Sequence, residues 1–296
     1  FWANAAQAQP WFKPGTKVFD WTQPTFKWFV GAETNLGFNA VDRHVEAGNG
    51  GRAPPIYLNE RGERRVLTYA QLRHEVKRTA AALRGMGIRK GERTTVYMPT
   101  SIEAIVVMLA TVRIGAIHSV VFAGFGAKAL SDRIAASGSR LVFTADATYR
   151  KGKNVRLKEI VDEALVTGGS TVEHVVVLDR TSEPAPKQQT RDITWTEFLA
   201  RGSGQSGDWT WMEGNEPAFI LATSGTTARP KLAVHTHGGY QVRIYSMGRW
   251  MFALRPTDVW WSTSDIGWIV GHSYIVYGPL FNGCTTVVFE GGLDHP

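Results

Sequence analysis

From Thr68 onward the apolar positions of the chain switch between two periods. "TYAQLRHEVKRTAAALRGMGI" sets Leu72, Val76, Ala80 and Leu83 at helical spacing behind Thr68, a residue type that caps helices. Gly85 and Gly87 are expected to stop that helix. "RTTVYMP" reads as a strand closed by Pro99, "SIEAIVVMLATVRIG" as a helix capped by Ser101 and ended at Gly115, and "AIHSVVF" as a strand. The alternation continues through a helix "AKALSDRIAAS", a strand "SRLVFTAD", a helix "NVRLKEIVDEAL" and a strand "TVEHVVVLD". Strands alternating with helices predict an α/β fold, a mostly parallel sheet with helices on both faces.

The flanks are patterned differently. Residues 1–60 are rich in Trp, Phe, Pro and Gly, and read as an irregular aromatic wrap over a larger body made by residues 61–296. Residues 180–215 read as a surface excursion with one short helix around Trp195 to Ala200. Two apolar runs then flank "TSGTTARPK", as strands around a loop. A helix over about residues 239–252, a strand "DVWWS", a loop "TSDIGWIVGHSY", a helix through Leu280 and a strand "TTVVFE" follow.

Composition narrows the partners. A net charge of +7 could serve nucleic acid or a phosphate-rich small ligand, but Lys and Arg are spread out, with one small cluster at residues 150–158. No nucleic-acid partner is therefore expected. The single cysteine, Cys284, rules out a disulfide scaffold or a cysteine metal site, and its apolar context predicts a buried small hydrophobe. No signal peptide is recognisable, and no apolar run reaches the roughly 18 residues that span a bilayer. A cytoplasmic protein without a membrane partner is the expectation.

Three constellations could carry chemistry. Gly124, Gly126 and Ala129 satisfy Gly-x-Gly-x-x-Ala between a strand and a helix, with Asp146 about 20 residues on where a ribose-binding acid belongs; that is a dinucleotide fingerprint, spoiled by bulky Phe125 in the turn. His235 and His237 alternate along an expected strand and would share a face, but no third metal ligand is in reach by sequence. The third is Thr223, Ser224, Gly225, Thr226 and Thr227, followed by Arg229, Pro230 and Lys231. It is not a Walker loop, because no Gly-Lys-Ser/Thr follows Gly225. Its four hydroxyls, backbone N–H groups and two cations suit a polyphosphate; the plain alternative is a Thr-rich hairpin.

This third segment resembles the phosphate loop of the adenylate-forming enzymes. "FKWFVGAETNLGFNAVDRH", "RIGAIHSVVFAGFGAKALSDRI", "YRKGKNVRLKEIVDEAL" and "SDIGWIVGHSYIVYGPLFNGCTTVVFEG" resemble, in order, the acetyl-CoA synthetase branch of that family. The resemblance runs over essentially the whole chain. It implies the N-terminal large domain of the adenylate-forming fold, C-terminally incomplete. It also implies joining of a short-chain carboxylate such as acetate or propionate to ATP, with Mg²⁺ assisting, and transfer of the acyl group to coenzyme A. Thr223, Ser224, Gly225, Thr226, Thr227, Arg229 and Lys231 match the triphosphate grip, and Lys231 and Trp268 take the catalytic places. Ile269 and Val270 match positions flanking the acyl chain, although ordinary core is what their residue types alone suggest. Arg150 and Lys153 match the cations that meet coenzyme A. Val270 and Asp294 also fall along the coenzyme's path, the acid poorly suited to phosphates. His272 reads as a satisfied core histidine. No metal site built from protein side chains alone is implied.

The loop departs from the family pattern at Ala228, Arg229 and Leu232, where Gly, Lys and Gly are usual. If residue 228 must be left-handed, Ala costs about 1–2 kcal/mol. Val270 stands where Thr is usual, leaving acetate or propionate open. The family's ribose-binding acid, hinge and mobile lysine find no match before Pro296. The chain is thus expected to be inactive in isolation and to need the missing C-terminal half, or to form a homo-oligomer. Alternatives are a truncated, non-catalytic binding module and a NAD-binding enzyme using Gly124, Phe125 and Gly126.

Overall fold

The computed structural model describes residues 1–168, 171–183, 185–223 and 230–294. Its centre is a seven-stranded sheet in the order Asp192–Thr194, His174–Leu178, Leu141–Ala145, Arg93–Tyr97, Ile117–Val120, Pro217–Thr223, Lys231–Thr236. Every neighbouring pair is parallel except the last. The central strands are apolar on both faces because helices cover both. Leu141, Phe143 and Val176 pack with helices Tyr69–Gly85 and Ile102–Arg113. Val142, Val175 and Val177 point the other way, onto helices Ala127–Ser137 and Leu157–Gly168. Side chains one residue apart thus enter opposite cores, as a period of two demands.

The expected caps are in place. Thr68 accepts from Gln71 N, and Gln71 reaches back to Thr68 N, a complete capping box. Ser101 Oγ accepts from Ala104 N at 3.2 Å. Gly115 is left-handed (φ 74°) and turns the chain into the next strand. The helix ends at Gly85, with Gly87 left-handed (φ 79°) just beyond, as expected, and Gly85 has a second part. It is the last residue of its helix, where a Cβ would stand 1.9 Å from the carbonyl oxygen of Arg201, so its small size admits the neighbouring segment.

Some boundaries differ from expectation. The helix expected from Asn154 begins at Leu157, because residues 148–155 form a hairpin of strands Thr148–Arg150 and Lys153–Val155. The helix after the last strand of the large sheet is His237–Trp250, two residues early. The expected loop "TSDIGWIVGHSY" becomes helical from Ile269 and continues as a π-helical stretch, His272–Tyr277. Lys158, counted in the basic cluster, is buried and bonded to Asp192 at 2.7 Å, so it holds the fold together rather than meeting a ligand.

The first sixty residues are more ordered than their composition suggests. They contain a helix Trp2–Gln7, an antiparallel hairpin Lys17–Thr22/Thr25–Val30 and a strand Pro55–Asn59. Trp2 meets Trp28 edge-on at 5.8 Å and Trp11 meets Phe29 at 5.5 Å. Arg113 and Asp42 form a fully buried fork that ties this region to the large sheet's helices. Pro55–Asn59 joins a second, four-stranded sheet ordered Val259–Trp261, Thr285–Glu290, Pro55–Asn59, Arg64–Val66, parallel except for the last pair. No helix among the described residues is long and apolar enough to cross a membrane.

Candidate functional site

A cavity of about 750 Å³ opens where the C-terminal ends of the two sheets' parallel strands face each other. The large sheet contributes Pro99 and Thr100, residues 122–126 and residues 148–151; the small sheet contributes residues 261–265 and 289–294. Open parallel sheets place ligands at these ends, because there the loops are free to carry polar groups while the strands hold position.

A buried carboxylate joins the walls. Glu290 ends the strand Thr285–Glu290, and its Oε1 accepts from Thr148 Oγ1 (2.8 Å), Tyr149 N (3.0 Å) and Arg180 Nη1 (2.7 Å). Its Oε2 accepts from Arg180 Nη2 at 2.6 Å and from the Tyr57 hydroxyl. Burial works against the Arg180 charge, but the fork to Glu290 outweighs it and leaves the guanidinium above its ordinary value. Arg180 is itself held by Asp146, whose Oδ2 accepts from Arg180 N (3.0 Å), Thr181 N (2.8 Å) and Thr181 Oγ1 (2.7 Å). Asp146 Oδ1 accepts from Ala147 N at 2.7 Å. Asp146 is therefore buried and spent on its own loop, with no face for a ribose. The turn at Gly124 is equally unsuited to a dinucleotide, since a Cβ there would meet the Phe122 ring at 2.3 Å. Phe125 meets Trp268 edge-on (5.7 Å) and lies under Arg133 (4.5 Å). The dinucleotide fingerprint is thus one wall of the cavity, and the NAD reading is set aside.

The hairpin carries the cations. Arg150 lines the cavity with its guanidinium 5.3 Å from the Phe122 ring centre. Lys153, opposite it in register, is exposed and outside the cavity lining, because the tight turn at Lys151 and Gly152 (φ 52° and 69°) sends the return strand away. Lys151 instead faces the cavity, and its Nζ reaches Asp294 Oδ2 at 2.6 Å. That ion pair removes the difficulty of an acid beside a phosphate path, since Asp294 spans the mouth to a lysine. Glu60 braces the turn by accepting from Lys151 N (2.7 Å), Gly152 N (2.9 Å) and Gly292 N (2.5 Å).

The strand Pro217–Thr223 pairs with Ile117–Val120 at Phe219–His118 and Ile220–Ser119 and ends at Thr223. Thr223 pairs with Lys231 across the antiparallel strands, both exposed, and Thr223 Oγ1 donates to Lys231 O at 3.3 Å. Ser224, Gly225, Thr226, Thr227, Ala228 and Arg229 lie outside the described residues. Leu232 is half-buried opposite Ala222. Trp268 packs on Phe122 at 5.5 Å. Ile269 and Val270 are 37% and 45% exposed, which overturns their reading as core. Three consecutive large apolar side chains in solvent, held by a helical start whose preceding residue is Gly267, suit an apolar ligand group.

The histidines face inward. His237 opens a helix instead of continuing the strand, and its Nδ1 accepts from Leu36 N at 3.2 Å. His235 stacks on Phe219 at 4.5 Å. The two therefore do not form one ligand face. His272 Nδ1 lies 3.1 Å from Trp268 O, and burial lowers its pKa to about 4. Cys284 is buried with its thiol pushed up to about 11 by burial, which makes it a poor nucleophile.

Residues 43–296 match the AMP-binding enzyme family. The chain belongs to that family. A second match, to the acetyl-coenzyme A synthetase N-terminus, covers residues 1–40. The acetyl-coenzyme A synthetase of Streptomyces coelicolor is 48% identical over 300 residues, a match spanning all of this chain and 46% of the relative. That of Deinococcus radiodurans is 46% identical, again across all of this chain and 46% of the relative. A 3-hydroxypropionyl-coenzyme A synthetase of Sulfurisphaera tokodaii is 46% identical, across all of this chain and 45% of the relative. The chain thus spans a little under half the length of the curated relatives it matches. Within this AMP-binding chain, sequence reasoning passed over Asp265, Glu60 and the Arg180–Glu290 clamp. Single acids in mixed segments carry no periodic signal, and the clamp's partners are more than a hundred residues apart.

Proposed function

We propose that this chain is the nucleotide- and acyl-binding part of an AMP-forming, short-chain acyl-CoA synthetase. The observation that carries the reading is the exposed trio Trp268, Ile269 and Val270, packed through Trp268 on Phe122, which lines the cavity and whose ring also meets Arg150 of the Thr148–Arg150 strand. An apolar rim next to a hydroxyl- and cation-bearing segment suits a short acyl chain joined to a polyphosphate. The carboxylate oxygen attacks the α-phosphorus of ATP, the bond to the β-phosphate oxygen breaks, and pyrophosphate leaves. The thiol of coenzyme A then attacks the acyl carbon and releases AMP. Magnesium enters with ATP as part of the substrate. Lys231 and Arg229 neutralise the polyphosphate, the hydroxyls from Thr223 to Thr227 cradle it, and Arg150 attracts the coenzyme's phosphates. Lys153 contributes only at longer range, from outside the cavity. Ile269 and Val270 would flank the acyl chain of a short acid, in line with the acetyl and 3-hydroxypropionyl names of the relatives.

The test is exchange of labelled pyrophosphate into ATP by the full-length protein carrying this sequence, with acetate, propionate and 3-hydroxypropionate in turn. Acid-dependent exchange with at least one is expected. Exchange independent of any carboxylate, or none with all three, refutes the reading.

A further inference from the structure

Among the described residues, Asp265 is the one carboxylate lining the cavity that is held by hydrogen bonds and not by an ion pair. Its Oδ1 accepts from Gly267 N at 2.7 Å, and its Oδ2 accepts from Thr100 Oγ1 at 3.1 Å. Its own carbonyl accepts from Trp268 N at 3.1 Å. Two of these bonds hold the turn to itself, and the third, from Thr100, fastens it to the segment that follows the strand Arg93–Tyr97. The fit is tight on both sides of the turn. A Cβ on Gly267 would stand 2.5 Å from Phe122 Cα, and one on Gly271 would stand 1.9 Å from Asp265 O. Burial raises the carboxyl above its ordinary range, the two hydrogen bonds and Arg150 acting in the opposite sense.

We propose that Asp265 is a positioning residue: its carboxyl, bridging Thr100 and Gly267, sets the height of Trp268, Ile269 and Val270 over the cavity and so the length of acid accepted. This inference rests on the acyl-CoA synthetase reading for its substrate, but its geometry can be tested separately. The bridge joins the segment after a strand to a turn whose Ile266 is anchored in the core, while Trp268, Ile269 and Val270 beyond it are exposed. With Ile266 holding the turn to the core, removing the bridge is expected to loosen chiefly the exposed rim.

Asp265→Ala and Asp265→Asn separate the possibilities. Asn keeps an oxygen for Gly267 N and offers an amide to the Thr100 oxygen, so it preserves the bridge without charge. Two readouts apply to the full-length protein: amide hydrogen exchange at Gly267 and Trp268, and the ratio of kcat/KM for acetate against propionate. Ala is expected to speed exchange at Gly267 by roughly fivefold, the weight of one net hydrogen bond, and at Trp268 by less, because its acceptor is the main-chain carbonyl of residue 265. The acid ratio should change by a similar factor with KM for ATP unchanged, while Asn stays near wild type in both. Asn behaving like Ala overturns the proposal in favour of a purely electrostatic role. Unchanged exchange at Gly267 in the Ala variant, or loss of protection throughout both sheets, also overturns it. If no acid supports turnover in the wild type, the proposed function fails, and the exchange result alone still decides the bridge.

Discussion

Lowering the pH from 7 to 5 should destabilise this fold by several kcal/mol, through its histidines. His118, His237 and His272 are fully buried, and burial lowers the pKa of each, to about 3 for His237 and about 4 for His272. In the unfolded chain the ordinary value is about 6.5. The unfolded state therefore takes up protons first, so stability is whole above about pH 7 and is lost as pH falls through 6.5 toward the folded values. At pH 5 the unfolded side chain lies 1.5 units below its pKa, while neither His237 nor His272 is appreciably charged in the fold. Each then removes about 2 kcal/mol, or roughly 4 kcal/mol together, with His118 acting in the same direction. Ordinary carboxylates, near 4, change little over this window. Against a typical stability of about 5–15 kcal/mol the loss is large. Urea midpoints at pH 7 and pH 5, with a common slope, measure it. A midpoint that does not move between the two pH values, or a pH dependence left intact in His272→Gln, would refute the reasoning.

Other outcomes are expected. Lys231→Ala should raise KM for ATP by roughly 10- to 100-fold, the weight of a charge-assisted bond, with the melting temperature unchanged because the side chain is exposed; pyrophosphate exchange at low ATP checks it. Val270→Thr restores a hydroxyl at the rim and should shift kcat/KM toward the smaller or more polar acid, within the roughly 1–3 kcal/mol that one methylene is worth. Glu290→Ala leaves Arg180 buried without its carboxylate and should cost about 3–5 kcal/mol in a denaturant titration. Gly85→Ala should cost about 1–3 kcal/mol by the same assay, as the new methyl forces Arg201 away.

What could be read from the chain was local. Thr68 and Ser101 announce their helices because a cap is decided by a few neighbouring residues, and the valines of His174–Leu178 announce a buried strand because composition alone marks it. Ile269 and Val270 misled, since apolar residues ordinarily signal core and nothing in the chain says that a turn lifts them into solvent. The position of Lys153 outside the cavity lining could not be read from the chain, because a hairpin turn, unseen in the pattern, reverses the direction of its strand. The four-stranded sheet could not be assembled from sequence either, since its partners are Pro55–Asn59 and Thr285–Glu290, over two hundred residues apart. The hydroxyl-rich segment was the easiest feature to notice, yet of it only Thr223 and residues from Pro230 onward are among those described.

The Glu290 clamp also bears on how a ribosome delivers this protein. Strands of the large sheet are complete once Thr236 has emerged, but the carboxylate that closes the cavity follows 54 residues later (290 minus 236). At a synthesis rate of about 5–20 residues per second, the gap is roughly 3–11 s. During that interval Arg180 and the Tyr57 hydroxyl await a partner 110 and 233 residues away in sequence. Such distant closures are slow because the intervening chain must be gathered before the contact rewards it. The ligand cavity is therefore the last part of this region to acquire its walls, and a nascent chain exposes a finished sheet well before it can bind anything there.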